Sequence, residues 1–66
     1  MSVAKVVEIS SESTKNFEDA IERGIARAEK SLKNVKGAWV AEQKVVVKNG
    51  KIDCYRVHMR VSFVLE

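Results

Sequence analysis

Lys51 to Leu65, KIDCYRVHMRVSFVL, is the stretch that decides the fold. From Tyr55 onward every second residue is large and apolar: Tyr55, Val57, Met59, Val61, Phe63 and Leu65. A period of two over that length is a strand with one face against a core. The intervening Cys54, Arg56, His58, Arg60, Ser62 and Val64 form a second face that is too polar for a core. Immediately upstream, Lys48-Asn49-Gly50-Lys51 is a tight-turn signal, because Asn-Gly accepts positive φ at both central positions. Ala38 to Lys48 therefore reads as the partner strand of a hairpin.

Working further back, Phe17, Ala20, Ile21, Gly24, Ile25, Ala28, Leu32 and Val35 recur at helical spacing. Charged residues fill the other side, so the spacing predicts one amphipathic helix of about five turns. Gly24 sits on the apolar stripe, where glycine costs about 1 kcal/mol against alanine. Its expected use is close approach of another backbone. The SSEST segment, Ser10 to Thr14, supplies turn formers and a cap at Ser13 or Thr14, with Asn16 and Asp19 as a second capping arrangement. Before it, Val3 to Ile9 alternates as a first strand.

Direction fixes the topology. A strand up, a helix down, a strand up and a strand down make an all-antiparallel sheet only when the last strand lies in the middle. The expected fold is α+β, a β-α-β-β chain whose three-stranded antiparallel sheet, order 1-3-2, partly wraps one helix. The second face of that sheet is left open. Val45 and Val47 are expected to share it with Trp39, beside Arg56, His58 and Arg60, and a half-apolar face of this kind calls for cover by other subunits or a ligand.

A chain of 66 residues with a single cysteine, Cys54, has neither a large core nor disulfides to lean on, so oligomerisation is the expected route to stability. The net charge of +3 is spread through a mixed surface and no nucleic-acid-reading motif is present, so no nucleic-acid partner is expected. The start, MSVAKVVEIS, lacks the pattern of a signal peptide, and the apolar runs are too short to cross a bilayer. The expectation is one cytoplasmic domain, residues 1–66, without a membrane partner. No nucleophile-base pair, paired carboxylates or cofactor loop is visible, which argues against an enzyme.

The order of FEDAI (Phe17 to Ile21), RAEKSLKNV (Arg27 to Val35) and YRVHMRVSFVLE (Tyr55 to Glu66) resembles the dodecin family over nearly the whole chain. The resemblance implies a homododecameric hollow shell that binds or stores a small ligand, commonly a flavin such as riboflavin, FMN or FAD. In flavin-binding relatives a tryptophan after the helix stacks on the flavin ring, and a glutamine after the tyrosine of the last strand binds its polar edge. Here those positions hold Gly37 and Arg56. Trp39 lies two residues on, about 7 Å along the same face of a strand. Arginine has donors only, so the flavin edge loses an acceptor partner.

Glu42-Gln43 and Tyr55-Arg56 are similar to the calcium-dodecin branch of the family, which also lacks the tryptophan. That likeness implies Ca²⁺, with Mg²⁺ as the other oxygen-seeking cation. It places no metal ligand on this chain. The residues expected at the ligand site are Trp39, Arg56, Gly37, Gln43 and His58. Each has a plainer reading: Trp39 as a plug at a subunit contact, Arg56 and Arg60 as ion pairs to glutamates between subunits, and His58 as a surface or pore-lining side chain. The alternative function is a cation-binding or structural shell that holds no flavin.

Overall fold

Four elements follow one another in the computed structural model, which describes residues 3–65: β1 (Val3–Ser13), α1 (Phe17–Ser31), β2 (Val35–Lys48) and β3 (Lys51–Leu65). Met1, Ser2 and Glu66, the ends of the expected domain, lie outside the described residues. The sheet is antiparallel with β3 in the middle, order β1-β3-β2, as the direction argument required. Asn49 and Gly50 both take positive φ, 53° and 75°, in the two-residue turn between β2 and β3.

One side of β3 builds the core. Val57, Met59 and Val61 are fully buried under Ala20 and Ala28 of α1, with Val7, Ile9, Phe17, Ile21, Leu32 and Val35 packed around them. Phe17 also meets Tyr55 edge to face, ring centroids 5.2 Å apart. The helix can lie this close because Gly24 has no side chain. A Cβ built there would stand 2.5 Å from Met59 Cε and 3.1 Å from Ser11 Cβ.

Three boundaries differ from the sequence reading. The first strand runs on to Ser13 rather than ending at Ile9, because Ser10, Ser11, Glu12 and Ser13 all find partners on the long central strand, from His58 to Tyr55. Tertiary pairing here overrides the turn preference of serine. Ser13 therefore does not cap the helix. Asn16 does, its side chain accepting from the Asp19 N–H at 2.7 Å, while Ser13 Oγ accepts from the Lys15 N–H and donates to Asp19 Oδ2. The helix stops at Ser31, short of Val35. Leu32 is already extended, and Asn34 turns the chain with φ 60°, so Val35 reaches the core as the first residue of β2.

The helix lies over β1 and β3 and leaves β2 largely uncovered on both faces. Most of its 14 residues are exposed, including Trp39, Val40, Val45 and Val47.

Candidate functional site

Cross-strand pairing on the side of the sheet away from the helix joins an acidic stripe to a basic one. Glu8, Ser10 and Glu12 of β1 stand opposite Arg60, His58 and Arg56 of β3. The pairs are made: Arg56 donates to Glu12 Oε2, His58 Nε2 lies 3.0 Å from Glu8 Oε1, and Arg60 Nε lies 3.6 Å from Glu8 Oε2. The other imidazole nitrogen, Nδ1, is 2.9 Å from Ser10 Oγ. Both ring nitrogens are thus engaged, by two residues of one strand that alternation places two positions apart.

The hydrogen bond from His58, then the charges of His58 and Arg60, hold the Glu8 carboxyl below its ordinary value near 4.5. Burial, with the negative charges of Glu12 and Asp53, pushes the Cys54 thiol up, which keeps it protonated and a poor nucleophile. The expectation that Arg56 and Arg60 find their glutamates across subunits is corrected here. Both are paired within one chain, to Glu12 and Glu8.

On the other flank, β2 brings Trp39 opposite Arg60, Glu42 opposite His58 and Lys44 opposite Arg56. Gly37 pairs with Ser62, whose hydroxyl donates to the Gly37 carbonyl at 3.2 Å. Gly37 and Trp39 thus share the open face, with no register shift between them. Trp39 is 60% exposed. A cleft of about 220 Å³ opens among Ser10, Glu42, Lys44, Arg56 and His58.

Of the expected site residues, Trp39, Gly37, Arg56 and His58 come to one face, and Gln43 does not. A register shift between Val40 and Glu42 moves the alternation of β2 by one residue, so Gln43 pairs with Val57 and Val45 with Tyr55, both on the helix side. Val45 therefore does not share the face of Trp39. Nor does Val47 rejoin it by alternation, since the second shift, between Val46 and Val47, skips Asp53 on β3 and inserts no residue in β2. The bulge puts Glu42 and Lys44 at the cleft in place of Gln43.

Sequence reasoning missed Glu8, Ser10 and Glu12 as members of this surface. The signal was present: polar residues at every second position continue the alternation of β1 straight through the serines.

A larger hollow, about 450 Å³, lies on the helix side between α1 and β1, lined by Val7, Ile9, Gly24, Ala28 and Leu32 with Arg23 and Arg27 among the other lining residues. It contains none of the residues expected to bind a ligand, and its lining is mostly apolar. Two of the expected residues, Arg56 and His58, line the smaller cleft. No group of three or more His, Cys, Asp or Glu side chains among the described residues is poised to hold a metal, so one chain alone does not fit a cation site. No described helix is long and apolar enough to cross a membrane.

A family model described as Dodecin matches residues 3–66. Calcium dodecin of Mycobacterium tuberculosis (strain ATCC 25618 / H37Rv) is 35% identical over 63 residues, covering 96% of this chain and 89% of the relative. Among solved structures, dodecin from Streptomyces davaonensis superposes with a TM-score of 0.94 at 31% identity, over 98% of this chain and 96% of that one. The structure of the calcium-chelating immunodominant antigen calcium dodecin from Mycobacterium tuberculosis, with its calcium-binding site, gives a TM-score of 0.84 at 35% identity, over 97% and 91% of the two chains.

Proposed function

Since the chain belongs to the dodecin family, we propose that it assembles into a homododecameric shell of the cytoplasm and holds a small ligand, without turnover, on the open sheet face between subunits. The ligand class we infer is an anionic flavin such as FMN. The observation that carries this reading is Trp39, an exposed indole on the same face as Gly37, Arg56 and His58. Tryptophan is costly to leave in water, and here most of it has no intrachain cover.

The residues present fit such a group in part. Trp39 offers a flat apolar surface for stacking, worth about 1 to 3 kcal/mol by analogy with stacked bases. Gly37, where flavin-binding relatives carry the stacking ring, leaves space beside it. Lys44 and Arg56 offer donors to a phosphate, which favours a phosphorylated flavin over riboflavin. The need for partners is independent of the ligand. β2 leaves Trp39, Val40, Val45 and Val47 exposed on both faces, more than a stable monomer of this size is expected to present.

Titration with riboflavin and FMN, read by quenching of the only tryptophan, tests the ligand. Saturable quenching that is tighter for FMN and lost in Trp39→Ala, while sedimentation still reports the large oligomer, supports the reading. Quenching no greater than the inner-filter effect refutes it. The likeness to calcium dodecin favours a second reading, a cation-holding shell, in which carboxylates of several subunits would have to meet. Its mark is Ca²⁺-dependent thermal stability of the oligomer, removed by a chelator.

A further inference from the structure

His58 is the only histidine of the chain, and its two ring nitrogens are spoken for by groups of different kinds. Glu8 is a carboxylate held ionised by its neighbours, so it can only accept, and the hydrogen at Nε2 must be the one it receives. In the neutral ring Nδ1 is then bare and accepts from the Ser10 hydroxyl. A proton added to the ring goes to Nδ1. Two hydrogens cannot face each other across 2.9 Å, so Ser10 Oγ must become the acceptor and its own hydrogen must swing away.

Ser10 lines the same cleft as Lys44, Arg56 and Glu42. The charges around the ring are Glu8 and Glu12 from β1, Glu42 and Lys44 from β2, and Arg56 and Arg60 from β3. The helix packs on the opposite face and lends no side chain to the cleft. Three carboxylates thus meet three cations, and the surface is neutral until His58 takes a proton.

We propose that the Ser10–His58–Glu8 chain makes this cleft a proton-gated anion site, in which protonation of His58 turns the Ser10 hydroxyl toward the ligand and adds one positive charge, so that a phosphate- or sulfate-like dianion binds more tightly as the pH falls. The inference deepens the reading of the same face as a ligand site. One unit charge about 5 Å from a dianion, in water-like surroundings with physiological salt, strengthens binding about fivefold. The reoriented hydroxyl adds to that.

Sulfate is the probe, because its own charge does not change between pH 5.5 and 7.5. At constant ionic strength, the single imidazole signal in the NMR spectrum of the assembled protein follows both binding and protonation. Sulfate is expected to bind at least about fivefold more tightly at pH 5.5 than at pH 7.5. By reciprocity it must move the midpoint of the His58 signal upward by the same factor.

In His58→Gln the pH dependence is expected to vanish with the oligomer intact. In Ser10→Ala it is expected to shrink toward the charge effect alone. Equal affinity at both pH values, no saturable binding at either, or an undiminished pH dependence in His58→Gln overturns the proposal. The outcome is separable from that for flavin, since sulfate has no ring to stack on Trp39. PH-gated sulfate binding without flavin quenching would sink the flavin reading and leave this one standing.

Discussion

Replacing Gly24 by alanine pits two effects of opposite sign against each other. Helix propensity favours alanine by about 1 kcal/mol in the interior of a helix. Packing opposes it. The new methyl would sit 2.5 Å from Met59 Cε and 3.1 Å from Ser11 Cβ. The first contact is with the tip of a flexible side chain, that of the fully buried Met59. The second is with an atom fixed to the backbone of β1.

Overpacking by one methyl costs about 1 to 3 kcal/mol, so the net expectation for Gly24→Ala is a loss of about 1 kcal/mol. For a domain of this size that lowers Tm by about 5 °C, read in thermal melts at fixed protomer concentration, since assembly contributes to stability. The cause can be isolated. In a Met59→Val background the clashing methyl is gone, and Gly24→Ala should cost markedly less, a coupling of about 1 kcal/mol in a double-mutant cycle. A Gly24→Ala protein as stable as the parent, with no coupling to position 59, would refute the claim that close helix-sheet approach requires this glycine.

Three further outcomes are expected. Asn16→Ala removes the side-chain acceptor for the Asp19 N–H and should destabilise by about 1 kcal/mol in urea unfolding, with Asn16→Asp close to the parent. Gly50→Val places a β-branched residue at φ 75° with no side chain near it, so a loss of about 1 to 2 kcal/mol would be wholly a backbone effect, and Gly50→Asn should recover most of it. The carboxyls of Glu8 and Asp19 titrate below their ordinary values near 4.5 and 3.8 when folded, Glu8 through His58 and Asp19 through Ser13 and Arg23. Their contribution is therefore complete above the unfolded values and lost as pH falls through the lowered folded ones. Tm should decline below about pH 4.5, and less steeply in Glu8→Gln and Asp19→Asn.

The architecture was legible because its signals were local and consistent. Asn49-Gly50 specified the hairpin, the Tyr55-to-Leu65 alternation specified which face of the central strand is buried, and strand direction alone then forced the order. What could not be read were features set by partners distant in the chain. Ser10 to Ser13 look like a turn until a strand from Tyr55 to His58 is available to pair with them. Val35 fits the helical period, yet Asn34 at positive φ returns it to the same core from a strand. The site suffered from this too, since Ser10 and Glu12 lie on the segment read as a turn.

The bulge at Ala41 shows why a ligand site is harder to read than a core. Along β2, Trp39 and Gln43 are four residues apart, and strict alternation puts them on one face with Val45. A single extra residue between Val40 and Glu42 reverses everything after it. The core barely registers the change, because the helix does not cover β2 and either side chain there meets solvent. The cleft registers it fully: an amide and a valine are exchanged for Glu42 and Lys44, a carboxylate and an ammonium, beside Arg56 and His58. Hydrophobic burial, which makes alternation a reliable guide along β3, exerts no such discipline on β2. The polarity of the open face is therefore set by the position of one bulge, whose insertion carries no hydrophobic penalty and leaves no compositional mark.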